Sequence, residues 1–239
     1  MFVKQEFMVG YRHVDMDYRL TNRAILGYFE DVAGKHSSGV GYGVLDIPKT
    51  HLAWFLISVR IKVYKRPMYG ETVTAITWSK GANRVFAYRD YELRNAEGEL
   101  VAAGASVWVP IDRRTGAMMR LTSEIMDAFG TEDKSALETG GKLREPKSYS
   151  ATGEQKITAS MIDFNEHVHN TYYIDFLNEI LPESLRGAEI NDLEIFYKNQ
   201  ILIGENVKLF YGEENGSHYV SIKTEDEKEL HAIIKFEIA

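Results

Sequence analysis

With 239 residues, 44% hydrophobic and 12% aromatic, the chain has material for one large core or for two domains of about 120 residues. It contains no cysteine, which excludes a disulfide framework, a thiolate nucleophile and a Cys-based zinc site. The net charge of −7 and the lack of any Lys/Arg run speak against nucleic acid, and no apolar run approaches the roughly 20 residues of a membrane span.

The first residues, Met1-Phe-Val-Lys-Gln-Glu-Phe-Met, are too polar for a signal peptide, so a soluble cytoplasmic protein is expected. After this alternating run comes Asp15-Met-Asp17-Tyr-Arg19-Leu-Thr21-Asn22. A helical insert follows from Asn22 to about Val44, with its core signal over Ile25 to Val32. Gly39, Gly41 and Gly43 close it. They lack both a preceding strand and a following Lys-Ser/Thr, so they read as a loop and not as a phosphate cradle. An irregular stretch reaches Leu52. Strands are then predicted over Val73 to Trp78, Arg84 to Arg94 and Leu100 to Ile111, the last after the turn Glu97-Gly-Glu99. Ser123 caps a short helix signal from Glu124 to Phe129, and polar sequence to residue 150 reads as a link.

The second half repeats the first. Asp163-Phe-Asn165-Glu-His167-Val-His169-Asn170 copies the frame Asp-x-(Asn/Asp)-x-(Arg/His)-x-x-Asn and leads into a helix over Tyr173 to Leu181. Tyr64-Lys-Arg-Pro-Met-Tyr-Gly70-Glu-Thr-Val73 returns as Tyr197-Lys-Asn-Gln-Ile-Leu-Ile-Gly204-Glu-Asn-Val207, with one extra residue. Strands follow over Val207 to Tyr211, His218 to Thr224 and Leu230 to Ile238. The expected fold is α+β: two tandem hotdog units, each a long helix wrapped by a curved antiparallel sheet, paired into one continuous sheet. The boundaries are 1–122, a link at 123–150, and 151–239. Charge differs between the halves. Residues 1–150 carry 21 Lys and Arg against 18 Asp and Glu, whereas 151–239 carry 7 against 17, so an acidic partner would favour the first part.

Histidine replaces arginine in the later copy, and only histidine exchanges a proton near neutral pH. On an extended segment, Asp163, Asn165 and His167 would share one face. The helix after them would start near Asn170 as N-cap, with unused N–H groups and the positive dipole end facing the same site. Short polar residues at such a junction also form turns and caps for purely structural reasons. Asp163, His167 and His169 could be read as zinc ligands, but no fourth ligand stands out, and His169 is expected at the surface or behind the site.

These residues resemble the acyl-(acyl carrier protein) thioesterases, enzymes that release fatty acids from the carrier protein. The resemblance rests on Asp163-x-Asn165-x-His167-Val168-x-Asn170, on Tyr173-Ile174 and Glu179, and in the first half on Leu52-Ala-Trp54, Pro67-x-x-Gly70-Glu-x-Val, Thr77-Trp78 and Ala105-Ser-Val-Trp108. It covers nearly the whole chain. The family usually has Asn where this chain has His169. It also commonly has a glutamate where this chain has Gln200, an amide that can orient water but cannot take its proton.

The resemblance implies cofactor-independent hydrolysis of a carrier-bound acyl thioester, the first half holding the chain and the second carrying the chemistry. With no Gly-x-Ser-x-Gly elbow, a carboxylate, amide and imidazole set must act. Asp163 would be general base or nucleophile, both open. Asn165 would position carbonyl or water, and His167 would hold substrate or shuttle the proton to sulfur. Amides near Asn170 would bind the oxygen. Gln200 completes the catalytic set, and no metal or cofactor is expected. Trp54 and Trp108 would wall the acyl tunnel, with Trp78, Phe55 and Phe86 in core or lining. Arg60, Lys62, Lys65 and Arg66 would dock the acidic carrier, or would simply be a solvated strand face. Other readings are an acyl-CoA thioesterase on the same fold and a non-catalytic acyl-chain binder. A homodimer is left open.

Overall fold

A computed structural model describes residues 1–138 and 142–238. The chain divides into two units, Met1–Thr139 and Gly140–Ala239. The first has strands β1 (Val3–Met8), β2 (Leu52–Val63), β3 (Thr72–Asn83), β4 (Phe86–Asn95) and β5 (Leu100–Asp112), with helices α1 (Asn22–Gly39), α2 (Ile47–Thr50) and α3 (Ser123–Phe129). Its antiparallel order is β1-β3-β4-β5-β2. The second has β6 (Ala151–Lys156), α4 (Tyr172–Ile180), β7 (Ile190–Tyr197), β8 (Asn206–Glu214), β9 (Ser217–Thr224) and β10 (Leu230–Ile238). Its order, β6-β8-β9-β10-β7, is the same arrangement. Each unit is a hotdog, a helix laid on a curved antiparallel sheet.

In the first unit, Thr21 caps α1 by accepting from the Ala24 N–H at 3.2 Å. Ile25, Phe29, Val32 and His36 then form a buried stripe at helical spacing. Phe29 stacks on Tyr91 of β4 with ring centroids 4.7 Å apart. A Cβ added at Gly104 of β5 would lie 2.6 Å from the Phe29 ring, which is buried and cannot retreat. Gly104→Ala is therefore expected to cost about 1–3 kcal/mol. An alanine variant that melts with the wild type would show that helix and sheet have room to spare.

The next buried layer is polar. Arg89 of β4 donates from Nη1 to His36 Nδ1 at 2.9 Å and to Thr77 Oγ1 at 3.2 Å. Burial, and then the Arg89 charge, hold the His36 pKa at about 4, below its ordinary 6.5. The unfolded chain takes up a proton between these values that folded His36 refuses. This share of stability is complete above about pH 6.5 and is lost as pH falls toward 4. Between about pH 7.5 and pH 5 it amounts to about 2 kcal/mol. Urea unfolding of the wild type and His36→Gln at both values checks it, since the variant should lose that part of the pH dependence.

The stretch 123–150 is tied down wherever it is described. Thr122, one residue before the expected Ser123, caps α3. Ile125 and Phe129 of α3 are buried with Leu52. Trp78 Nε1 donates to Lys134 O at 2.7 Å, and the Ala136 N–H donates to Asp90 at 2.7 Å, so 123–138 packs on the first unit. Ser150 and Tyr149 bond to Tyr211 and Ser221 of the second. Within the expected link, residues 139–141 lie outside the described ones. Two strands run well past the expected ends, β3 continuing from Trp78 to Asn83 and β8 from Tyr211 to Glu214, whereas β4 starts at Phe86 instead of Arg84 and β10 keeps its expected bounds.

Candidate active site

Asp163 to His167 is a tight turn, not the extended segment expected from the spacing. The Asp163 N–H donates to His167 O at 2.9 Å, and the Glu166 N–H donates to Asp163 O at 3.0 Å. Glu166 sits in the left-handed region at φ 72°, and Ile162 pairs with Val168 across the turn. Asp163 holds it: Oδ1 accepts from the Asn165 N–H at 2.8 Å and Oδ2 from Asn165 Nδ2 at 3.4 Å. His167 Nδ1 lies 3.7 Å from Asp163 Oδ1, and both side chains are 13% exposed. The carboxylate, amide and imidazole thus converge because the backbone folds over them.

The first unit builds the same turn. The Asp15 N–H donates to Arg19 O, the Tyr18 N–H donates to Asp15 O, and Tyr18 has φ 62°. Asp15 Oδ1 accepts from the N–H groups of Asp17 and Arg19, both at 2.9 Å. The aspartate is therefore common to both turns as their acceptor. What differs is Asn165 for Asp17 and His167 for Arg19.

The neighbouring segment repeats as well. Val168 N–H donates to Ile201 O at 2.9 Å and His167 bridges Leu202, as Leu20 N–H donates to Pro67 O at 2.8 Å and Arg19 bridges Met68. The Leu202 and Met68 N–H groups donate to Glu205 and Glu71, each at 2.9 Å. This register makes Gln200 the counterpart of Arg66 and sets it opposite His169. Arg66 reaches Leu20 O and Asn22 Oδ1 at the start of α1. Gln200 is exposed.

The helix entry differs from the expectation. Thr171, not Asn170, is the N-cap of α4, and its hydroxyl is engaged with His169 Nδ1 at 2.8 Å. The N–H groups of Tyr172, Tyr173 and Ile174 are used in tight i to i+3 bonds to His169, Asn170 and Thr171. They are not the unused donors anticipated at a helix start. His169 acts as a brace of this entry, and its own N–H donates to Met161 O at 2.9 Å. Among the described residues, no group of three or more His, Asp or Glu side chains is arranged to hold a metal ion.

Two tyrosines that the sequence reading quoted without giving them a role lie at the site. Tyr173 is buried, and its pKa is raised by that burial and then by the charges of Glu205 and Asp163, which places it beside the turn. Tyr197 packs edge-on against it at 4.9 Å and donates to Asn170 O at 3.2 Å. Tyr173 stood in the motif that carries the resemblance and Tyr197 in the repeated frame, but tyrosine is common in β-rich chains, so residue type alone signalled no role.

The remaining candidates lie in the first unit. Trp54 packs edge-on against Phe129 at 5.6 Å, Trp108 Nε1 donates to Ser106 Oγ at 2.7 Å, Trp78 is fully buried, and Phe86 is exposed. Arg60 and Lys62 share the outward face of β2, with Arg60 donating to Glu138 O. Lys65 and Arg66 lie beyond the strand. Lys65 faces Glu99 at 3.6 Å, and Arg66 is held at α1.

Residues 1–129 match the acyl-ACP thioesterase N-terminal domain, and residues 145–237 match the acyl-ACP thioesterase C-terminal domain. The chain belongs to the acyl-ACP thioesterase family. It is 29% identical over 217 residues to oleoyl-acyl carrier protein thioesterase 2, chloroplastic, of Arabidopsis thaliana, covering 82% of this chain and 59% of that protein. The corresponding Coriandrum sativum thioesterase is 25% identical over 217 residues, 58% of its length. The chain thus spans about three fifths of these curated relatives. An acyl-ACP thioesterase from Bacteroides thetaiotaomicron shares the fold with a TM-score of 0.90 at 22% identity, covering 100% of this chain and 98% of that one. The 12:0-ACP thioesterase from Umbellularia californica does so with a TM-score of 0.87 at 18% identity, covering 100% and 97%. No helix among the described residues is long and apolar enough to cross a membrane.

Proposed function

We propose that this chain hydrolyses fatty acyl thioesters of acyl carrier protein, without a cofactor, at Asp163, Asn165 and His167. One observation carries the reading. The two units share one turn, and only the second copy adds an amide and an imidazole to the shared aspartate. Family membership supplies the thioester and the carrier. The first unit, with Trp54 and Trp108, holds the acyl chain, and the second carries the chemistry. The outward pair Arg60 and Lys62, with the exposed Lys65, suits an acidic carrier better than Arg66, which is held at the start of α1.

In this reading the negative Asp163 orients His167 through Nδ1 and stabilises its protonated form. Nε2 takes a proton from water as the water oxygen bonds to the thioester carbon. The carbonyl π electrons move to oxygen, where Asn165 Nδ2 donates to the oxyanion. Thr171 N–H, which has no partner among the described residues, is the donor left at the α4 entry. When the carbonyl re-forms, the C–S bond breaks and the thiolate receives the proton held by His167. The direct test is the kcat/KM of one acyl group on carrier protein against the same group on CoA. The carrier substrate should be favoured. Preference for CoA would assign the runner-up activity, and no turnover of either would leave a binding protein.

Gln200 lies one strand step beyond this set and serves to orient water. Gln200→Ala is expected to cost at least about tenfold less than Asp163→Ala, which is about 1.4 kcal/mol of barrier. Equal losses in kcat would put Gln200 among the reacting groups.

A further inference from the structure

The layer formed by Arg89 and His36 in the first unit has a property that the proposed hydrolysis leaves unused. Arg89 is 8% exposed and His36 1% exposed. No carboxylate pairs with the Arg89 guanidinium among the described residues, and its Nε and Nη2 make no hydrogen bond there. Because a guanidinium only donates, His36 Nδ1 must be the acceptor of their 2.9 Å bond, and the neutral imidazole carries its proton on Nε2. That Nε2 is buried and faces the Phe129 backbone carbonyl without a well-formed hydrogen bond, and Trp54 Nε1 is buried without a partner. The Phe129 ring joins the three side chains, with centroid distances of 5.2 Å to His36, 5.6 Å to Trp54 and 5.6 Å to the Arg89 guanidinium carbon. The unmatched atoms of Arg89, His36 and Trp54 are all donors, and one of these groups is a cation. Burying such groups unmatched is costly, so their convergence calls for an acceptor.

We propose that Arg89, His36 and Trp54 form a binding site for an acceptor oxygen, foremost a carboxylate, carried on the acyl chain at a distance from its thioester. The inference rests on the reading that the first unit holds that chain. A guanidinium binds a carboxylate through paired hydrogen bonds, and the two further N–H groups suit the remaining lone pairs. A methyl-ended chain would leave all of these donors unmatched. The first unit therefore selects for oxygen-bearing chains over plain ones of equal length.

Calorimetry on the full chain with acyl-pantetheine amides tests this, since the only variable oxygen is then the one on the chain. Plain, ω-hydroxy and ω-carboxy chains of one length are compared. The ω-carboxy analogue should bind the wild type at least about tenfold more tightly than the plain one. Arg89→Met should abolish that ratio, and Trp54→Phe should reduce it while keeping the ring. Arg89→Met should melt no lower than the wild type, because it removes a buried unpaired charge. If it fails to fold, Arg89 is structural and the proposal falls. Equal binding of plain and ω-carboxy analogues, or a preference that survives Arg89→Met, overturns it too. So does Arg89-dependent binding of a plain free fatty acid with no ω-carboxy preference, which would make the product head group the ligand. Turnover of an acyl-carrier-protein thioester by the same protein preparations separates the two readings. Hydrolysis without the preference sinks only this one, and the preference without hydrolysis sinks only the proposed function.

Discussion

His167→Ala and Asn165→Ala should each lower kcat on carrier-bound acyl thioester by about 10²-fold or more, with the fold intact. The two side chains are what the second turn has and the first lacks, while the backbone bonds that build the turn involve neither side chain. Removing the imidazole removes the proton carrier, and removing the amide removes a donor at the developing charge. Circular dichroism and melting should match the wild type. Grafting the first copy's residues, Asn165→Asp with His167→Arg, should preserve the turn and abolish turnover. A folded single variant with near-normal kcat would remove that residue from the site.

Asp163→Asn should be as folded as the wild type and still lose activity by about 10²–10⁴-fold. The turn asks only for an acceptor at the 165 N–H, which an asparagine oxygen supplies. The chemistry asks for a negative charge beside His167, which asparagine does not supply. Asp15→Asn, its counterpart, should change neither kcat nor the pH–rate profile. If Asp163→Asn stays within about threefold of the wild type, the carboxylate does at the second turn only what Asp15 does at the first.

Both effects depend on something the sequence showed in outline and the structure altered in detail. The repeat was legible because Gly70 and Gly204 sit at φ 85° and 83°, and such turns print themselves as Gly-Glu-x-Val in each half. The helix signal from Ile25 to Val32 and the alternating strands were legible for the same local reason. Asp163, Asn165 and His167 could be selected by residue type, but not their geometry. Alternation in so short a segment cannot distinguish a strand from a turn with one residue at positive φ, and Glu166 gives no hint of that conformation. The start of α4 was misjudged because Asn170 is as good a cap as Thr171, and the choice falls to His169, which binds the threonine hydroxyl. The roles of α3 and of 130–138 depend on contacts with Trp78 and Asp90, far off in sequence. The Arg89 layer was likewise invisible, since an alternating strand does not reveal which arginine faces a helix.

The most direct measurement is the release of carrier thiol from acyl-carrier protein by the purified chain, followed beside His167→Ala at equal concentration. The account predicts steady turnover by the wild type, at least about 10² times that of the variant. A wild-type rate at the no-enzyme background, or equal rates for the two proteins, would contradict it.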